Sequence, residues 1–243
     1  SLEKSSHQVK VKVMDASELY DPEFRELIKS KKPTVIIPVG SIEQHGAHLP
    51  ITTDSDIVTE IASRLAKKCG FIVFPTISYG VSEEHYPLFN INTSSVSLSV
   101  FLSGIIKSLV ENNIKSVKIL NGHHGNVEVL KMMELSPNFP SKPDFYSYWH
   151  FMEHEFDHAG FVETSIMLAI SDKVKMEKAE KGLITKGLSD EEIQRINKLS
   201  TQPGGFPKVT ENGVWGDPTG ATKKDGEKFL AEIVRNLAKE CQS

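Results

Sequence analysis

The chain has 243 residues, of which 39% are hydrophobic and 25% are charged, and its formal net charge at pH 7 is -4. This composition is typical of an ordinary globular protein, and we expect one domain over residues 1–243. There is no block of Lys or Arg to neutralise phosphates and no apolar run long enough for a bilayer, so neither nucleic acid nor a membrane is an expected partner.

The cysteines and the N-terminus predict the compartment. Cys69 and Cys241 are the only two cysteines, they lie far apart in the sequence, and neither belongs to a Cys-x-x-Cys pattern. This usage argues against a disulfide scaffold and for a reducing compartment. The first residues are polar and lack the apolar core of a signal peptide, so we expect a cytoplasmic protein.

The chain opens with a predicted edge strand and a short helix. Polar and apolar residues alternate from Gln8 to Met14, as they do in a half-exposed strand. Asp21 and Pro22 then provide an N-cap and a favourable first-turn residue for a helix that runs to Ser30. The short β-branched run from Thr34 to Val39 follows, and it predicts a buried strand.

Helices and strands alternate after that strand. The periodicity predicts a helix capped by Asp54 or Ser55 and ending at Cys69, a strand from Phe71 to Ile77, a helix from Ser97 to Asn112, a strand from Ser116 to Leu120, a helix from Val127 to Leu135 and a strand from Phe145 to Trp149. Further helices are predicted from Ser189 to Leu199 and from Thr222 to Lys239. This alternation is typical of an α/β fold with a mostly parallel central sheet and helices on both faces.

A first group of acids and imidazoles follows the strand that ends at Val39. The segment from Gly40 to Asp54 contains Glu43, His45, His48 and Asp54. The carboxyl ends of parallel strands form the edge at which α/β proteins bind ligands. Carboxylate and imidazole donors suit zinc, manganese or ferrous iron, and a carboxylate placed between two cations can bridge them. We expect a metal site here, the alternative being a solvated polar loop.

The second group is Asn121-Gly-His-His-Gly-Asn126, which begins where the strand from Ser116 to Leu120 ends. It therefore belongs to the same edge of the sheet. Glycines on both sides of the paired histidines permit a tight turn that points a ring nitrogen into the crevice. We expect His123 to bind metal, whereas His124 is either a substrate contact or structural. Asn126 is expected to cap the next helix or to hold a loop carbonyl.

The third group, Asp157 to Ser165, is expected to follow a strand and to open a helix. The small residues Ala159 and Gly160 let His158 approach a substrate. Glu163 falls in the first turn of the helix, where it is either a metal ligand or a charge that favours a helix N-terminus. We prefer the ligand, because three loops that carry acids and histidines meet at one edge of the sheet.

A fourth loop contains Glu84-His85 and is predicted to close over the site, with Glu84 as a substrate contact. His150 and His154 are expected to line the pocket or to lie on the surface. Trp215, in a turn-rich segment, is a candidate hydrophobic anchor in packing or in a subunit interface.

Together these motifs resemble those of the creatininase (creatinine amidohydrolase) family, over nearly the whole chain. The resemblance rests on Gly40-Ser-Ile-Glu-Gln-His-Gly-Ala-His-Leu-Pro50 with Thr53-Asp54, Tyr79-Gly-Val-Ser-Glu-Glu-His85, Asn121-Gly-His-His-Gly-Asn126, His158-Ala-Gly-Phe-Val-Glu-Thr-Ser165 and Gly213-Val-Trp-Gly-Asp-Pro218. It implies a three-layer α/β/α sandwich, a two-metal site, hydrolysis of cyclic or linear amide bonds, and an assembly of identical chains that is often a hexamer.

The resemblance also implies roles for individual residues, matched by position. One divalent ion would be held by Glu43, Asp54 and His123. The second would be held by His45 and by Asp54, which bridges the two. His158 would act in proton transfer.

This chain departs from the creatininases proper at three positions. They have a glutamate ligand where this chain has Gly125, an aromatic substrate contact where it has His124, and a tryptophan lid in the segment that contains His154. The second ion is therefore short of one ligand, which Glu163 would supply.

We therefore expect an amidohydrolase that uses two divalent ions (Zn, Mn or Fe) to cleave a C–N bond, other than a peptide bond, in a small amide. Relatives with a similar central motif include deformylases that act on a formylaminopyrimidine in flavin and deazaflavin synthesis, which provides a second candidate. A third is a metal-binding assembly protein that has lost catalysis, because Gly125 removes a ligand. Retention of both His158 and Glu163 argues against that loss.

Overall fold

The computed structural model of the protein describes residues 14–136 and 142–242. Its centre is a parallel sheet of five strands in the order β1-β3-β2-β4-β5. The strands are β1 (Met14–Asp15), β2 (Thr34–Val39), β3 (Ile72–Val73), β4 (Ser116–Asn121) and β5 (Asp144–Ser147). The helices are α1 (Asp21–Lys31), α2 (Thr53–Cys69), α3 (Ser95–Glu111), α4 (Val127–Glu134), α5 (Phe161–Ile170), α6 (Asp190–Ser200) and α7 (Lys223–Gln242).

Each face of the sheet carries its own hydrophobic core. Along β2 the side chains alternate, so that Ile36 packs with α2, α5 and α7, whereas Val35 and Ile37 pack with α1, α3 and α4. Strand residues that are buried on both faces are typical of a parallel sheet covered by helices. The predicted three-layer α/β/α sandwich is confirmed.

Several predicted boundaries change for local reasons. The strand expected from Phe71 to Ile77 is reduced to β3, since Pro75 has no backbone N–H for a sheet ladder. The strand expected from Phe145 to Trp149 ends at Ser147, where the chain turns through a 3-10 helix, Tyr148–Phe151. The prediction that the segment from Asp157 directly follows a strand is therefore wrong, because this 3-10 helix comes after β5.

The helix caps also differ from expectation. Asp54 and Ser55 lie inside the first turn of α2 instead of capping it, and Asp21 is the first residue of α1. Asn126 occupies the N-cap position of α4 without making a side-chain cap. It instead donates to the Gly40 carbonyl at 3.0 Å, which confirms the alternative that it holds a loop carbonyl.

Most of the strand predicted from Gln8 to Met14 lies outside the described residues. Within the described part of the chain, no helix combines the length and the hydropathy that a bilayer span requires. The last helix begins one residue later than predicted, at Lys223. The helix predicted from Ser189 to Leu199 is α6, and Ser189 is its N-cap, in a capping box with Glu192.

Candidate active site

The site is built where β2 and β4 end side by side. Val39 pairs with Asn121 in the parallel register, and the Gly122 amide donates to the Val39 carbonyl at 2.8 Å. The loops that follow the two strands therefore start next to each other. Gly40 lets the first turn of α2 pack closely against the end of β2. A Cβ at this position would lie 2.4 Å from the Ser55 hydroxyl oxygen, so any larger residue would push the start of α2 away.

Asp54 lies in the first turn of α2, buried between two imidazoles. Its Oδ1 is 3.0 Å from Nε2 of His45, and its Oδ2 is 2.9 Å from Nδ1 of His123. The Ser41 hydroxyl donates to Oδ2 at 2.6 Å and fixes the orientation of the carboxylate. The two oxygens of one carboxylate thus face two different histidines, as a bridging ligand requires.

The other ring nitrogen of each histidine contacts a backbone carbonyl. Nδ1 of His45 lies 3.1 Å from the carbonyl oxygen of Glu43, and Nε2 of His123 lies 2.7 Å from that of Val81. A ring N–H that donates to a carbonyl fixes the tautomer and leaves the opposite nitrogen free to coordinate, an arrangement common around metal-binding histidines.

Two further carboxylates close the group. Glu43 is fully buried, and neither of its oxygens has a hydrogen-bond partner among the described residues, although Nε2 of His85 is 3.0 Å from Oε1. Glu163 is also fully buried, with Oε2 at 3.5 Å from Nε2 of His45 and Oε1 without a partner there. Buried carboxylate oxygens without donors are costly unless a cation compensates them.

The pKa shifts show the same imbalance of charge. Burial raises the pKa of Glu163 well above its usual value, against the attraction of His45. Burial alone would lower the pKa of His45, but the carboxylates of Asp54 and Glu163 raise it to about 10. Both shifts arise because several carboxylates are buried together around the His45 imidazole.

The donor atoms are close enough to share ions. Within 4.8 Å of one another lie the donors of three groups: Glu43, Asp54 and His123; His45, His158 and Glu163; and Glu43, His85 and His158. Mixed carboxylate and imidazole donors suit zinc, manganese and iron. The orphaned oxygens and the donor chemistry therefore fit divalent metal ions.

His158 is held from both sides. Its backbone pairs with that of Trp215 through two hydrogen bonds of 3.1 and 2.8 Å, and its Nε2 is 3.1 Å from the Gln44 carbonyl oxygen. Its Nδ1 faces Glu43 at 3.9 Å. Burial lowers the pKa of His158 well below its usual range, reinforced by His45 and His85. The shift favours the neutral ring, whose Nδ1 is the nitrogen that faces Glu43.

The structure brings most of the predicted site residues together. Glu43, His45, Asp54, His123 and Glu163 form one buried group with the partly buried His158, and Glu84 and His124 lie on the wall of the adjoining pocket. His124 stacks on Trp149, with ring centroids 6.0 Å apart. His150 and His154 are exposed. His48 points away from the group, and its Nε2 contacts the Thr164 hydroxyl at 2.9 Å.

Three residues that shape the site are not indicated by the sequence motifs. His85 is buried against Glu43, and adjacent loop residues such as Glu84 and His85 have no periodicity that shows which one points inward. The Gln44 amide nitrogen lies 3.0 Å from Nδ1 of His85 and donates to the Gly213 carbonyl at 3.2 Å. Asp157 accepts from the Val162 amide at 2.8 Å and so fixes the start of α5.

A cavity of about 390 Å³ opens onto this group. Its outer wall comes from the C-terminal end of α6 and the segment after it, and from two aromatic side chains; the residues are Asn197, Ser200, Thr201, Phe206 and Trp215. A cavity of this size holds ligands considerably larger than a single five-membered ring.

Gly125 is tightly enclosed. A Cβ at this position would lie 2.1 Å from the Val81 carbonyl oxygen, 2.4 Å from Nε2 of His123 and 2.7 Å from Oε1 of Glu84. The loop that carries Glu84 therefore occupies the space that a side chain at position 125 would need.

The sequence of the chain matches those of known hydrolases. The family model for creatinine amidohydrolase matches residues 17–241. The chain is 34% identical over 222 residues to the mycofactocin precursor peptide peptidase of Mycolicibacterium smegmatis, covering 87% of this chain and 85% of the relative. It is 33% identical over 151 residues to a 2-amino-5-formylamino-6-ribosylaminopyrimidin-4(3H)-one 5'-monophosphate deformylase of Methanosphaera stadtmanae, covering 60% of this chain and 64% of the relative.

A solved structure of a manganese creatininase has the same fold. Its TM-score is 0.77 at 23% identity, and the match covers 95% of this chain and 98% of that chain. The sequence matches and the fold comparison point to one family.

Proposed function

The chain belongs to the creatininase family of metal-dependent amidohydrolases, and from that premise we propose that it hydrolyses an amide bond in a short peptide or a peptide-like substrate. The observation that carries the proposal is the buried group around Asp54, at the floor of a cavity of about 390 Å³. In this group Glu43 and Glu163 have carboxylate oxygens without a hydrogen-bond partner among the described residues.

We propose that Glu43, Asp54 and His123 hold one divalent ion. His45, Asp54 and Glu163 would hold the second, so that Asp54 would serve both. Zinc, manganese and iron all suit these donors, and the creatininase named above is a manganese form. Two ions at such a site polarise a carbonyl group and lower the pKa of water.

The chain's own residues supply proton transfer and exclude solvent. His158 presents Nδ1 to the cavity while Nε2 donates to the Gln44 carbonyl, so the ring can take a proton and return it to a leaving nitrogen. The rings of Phe206 and His158 lie 4.9 Å apart, and Phe206 covers one side of the imidazole. No serine or cysteine nucleophile is required.

Two observations favour a peptide over the small non-peptide amide expected from the motifs. The cavity is larger than such an amide needs, and the Mycolicibacterium relative, matched over 87% of this chain, is a peptide peptidase. Hydrolysis of a small cyclic or linear amide is the second candidate, supported by the creatininase fold. The deformylase reaction is the third, supported by a match to 60% of the chain.

The test is hydrolysis by protein reconstituted with zinc, manganese or iron. The panel contains short peptides with free and blocked ends, creatinine, lactams and formamides, and products are identified by mass spectrometry. The matched control is His158→Ala in the same metal form. Release of amino acids or short peptides by the wild type alone supports the proposal. Turnover of creatinine, a lactam or a formamide, with none of the peptides, would replace it by one of the other candidates.

We also infer that the chain assembles with copies of itself. Helix α3 exposes large apolar side chains to solvent, with Val96 74%, Val100 68% and Phe101 56% exposed. Surfaces of this kind mark contacts between proteins. Light scattering after gel filtration tests the inference, and a monomer at micromolar concentration would contradict it.

A further inference from the structure

The cavity is acidic well beyond the metal-binding group. Among the described residues, its lining contains no Lys or Arg but six carboxylates: Glu43, Asp54, Glu84, Glu155, Asp157 and Glu163. Three of these are the proposed ligands, and Asp157 accepts amide hydrogen bonds at the start of α5. Glu84 and Glu155 are therefore two carboxylates of the lining that are not assigned to the ions.

Glu84 faces the cavity and, among the described residues, makes no short hydrogen bond to a cationic side chain. Its side chain is 12% exposed, and the nearest ring nitrogens to Oε1 belong to His123, at 3.5 Å, and to His85, at 3.9 Å. These distances are longer than those of a charge-assisted hydrogen bond. Glu155 lies at the open end of the cavity, where its side chain is exposed.

The C-terminal end of α6 adds to this negative wall. Asn197, Ser200 and Thr201, from the last turn of the helix and the residue after it, line the cavity. The C-terminus of a helix carries a partial negative charge and favours cations. The Gly204 amide donates to the Glu83 carbonyl at 2.9 Å, so the segment after α6 lies against the turn that carries Glu84.

The cavity is a ligand site on independent grounds, since the fully buried Glu43 and Glu163 line it and have carboxylate oxygens without a hydrogen-bond partner in the described part of the chain. We propose that the substrate presents a positively charged group, an ammonium or a guanidinium, to the wall formed by Glu84, Glu155 and the end of α6. A phosphate or carboxylate in the same place would be repelled. The proposed cation site rests on the proposed function, because the metal-binding group is taken as the place where the scissile amide binds. It does not depend on whether that amide is a peptide bond.

The experiment measures charge selectivity separately from turnover. Metal-loaded protein is titrated calorimetrically with 6-aminohexanamide, heptanamide and adipamic acid, which have nearly the same shape and carry a positive, no and a negative charge. A parallel set of peptide amides places Lys, norleucine or Glu at one position in turn. We expect the cationic member to bind about tenfold more tightly than the neutral one, as a charged hydrogen bond at a partly buried site allows.

Two variants locate the effect. Glu84→Gln and Glu155→Gln should reduce the preference for the cation, whereas Glu111→Gln, a surface change on α3, should leave it intact. The preference for the cation should also weaken as the salt concentration rises from about 0.05 M to about 0.5 M. The Debye length is about 10 Å at 0.1 M, so salt in this range screens the charges of the wall. Metal content is measured in every variant, and loss of metal from Glu84→Gln would make Glu84 a ligand and overturn its assigned role.

The outcomes for this proposal and for the proposed function are separable. Selective binding of the cationic ligands without hydrolysis of any panel member would support the acidic wall and count against the hydrolase activity. Hydrolysis of peptides with equal or weaker binding of the cationic member would support the activity and overturn the acidic wall. Absence of measurable binding by all three amides and all peptides would also overturn it.

Discussion

The backbone amide of Ala159 donates a hydrogen bond of 2.7 Å to Oε2 of Glu163, while Oε1 of the same carboxylate has no partner among the described residues. The first contact orients the side chain from the residue that follows His158. The same Oε2 lies 3.5 Å from Nε2 of His45, so the oriented carboxylate faces the group of imidazoles and carboxylates. A charge that served only the N-terminus of α5 would not need to be fully buried beside His45.

Glu163→Gln should therefore empty one of the two metal positions. The amide cannot supply the negative charge that the second ion needs, whereas a helix-terminal charge alone would cost about 0.3–1 kcal/mol of stability and no metal. Elemental analysis and melting temperature are measured on the same sample. The control is Glu128→Gln, an exposed first-turn acid of α4. Two ions bound to Glu163→Gln would leave only the helix role.

Asp54→Asn should lose more metal than Glu43→Gln. Asp54 faces both His45 and His123, so its loss affects both positions, whereas Glu43 is assigned to one. Asp56→Asn, in the same turn of α2, is the control because its carboxylate accepts from the Thr52 hydroxyl at 2.9 Å and belongs to none of the donor groups found among the described residues. Wild-type metal stoichiometry in Asp54→Asn would show that the shared-ligand assignment is wrong.

His158→Ala should keep both ions and lose turnover by roughly two to four orders of magnitude, the usual range for a general acid or base. Its Nε2 is already engaged by the Gln44 carbonyl, which leaves one ring nitrogen for proton transfer. Metal content decides the question because His158 also lies within reach of two donor groups. The exposed His150→Ala is the control, and an ion missing from His158→Ala alone would make it a ligand.

Gly125→Ala should destabilise the fold by about 1–3 kcal/mol, the typical cost of forcing an extra group into a packed region. The added Cβ would stand 2.1 Å from the Val81 carbonyl oxygen. At Gly104 of α3 nothing lies within 4 Å, so Gly104→Ala should be neutral or stabilising. Denaturant unfolding measures both. Equal stabilities would show that the loop at Val81 moves easily, and Gly125→Glu could then restore the glutamate ligand of the creatininases.

The cysteines should react slowly in the folded protein. Burial raises the pKa of the Cys241 thiol to about 11 and raises that of Cys69 as well. A thiol reacts as the thiolate, and a raised pKa leaves a smaller fraction of thiolate at pH 8. In denaturant the pKa is near its ordinary value, so alkylation of Cys241 should be about 100-fold slower in the folded protein than in denaturant. Mass spectrometry after timed iodoacetamide treatment measures the rates. Fast alkylation of the native protein would contradict the prediction.

Much of this site could be predicted because chain topology places it. Strands of a parallel sheet end at one edge, so acids and histidines that directly follow β2 and β4 must be neighbours, whatever their side chains do. Strand β2 was predicted to the residue, and its pairing with β4 brings Glu43 and His123 together. Periodicity and strand ends were sufficient for that part.

The remainder depended on irregular backbone. His85 and Gln44 lie in loops without a repeat, so nothing in their spacing says which side chain points inward. The contact between His158 and Trp215 joins segments that share no regular element, and tertiary hydrogen bonds alone fix it. The space around Gly125 is likewise set by the distant Val81, and a glycine in a sequence does not reveal what stands above it.

The proposed metal donors span the sequence from Glu43 to Glu163. The first two donor loops are aligned by the pairing of β2 with β4, in which Thr34 contacts Ser116, 82 positions away. Contacts of such long sequence separation form late, because closing a long loop precedes any gain from it. Local helices can form in microseconds without assembling any part of the donor set. The rate at which a refolding chain binds its ions should therefore report the rate of the last long-range strand pairing. No isolated fragment shorter than residues 43–163 contains all the proposed donors.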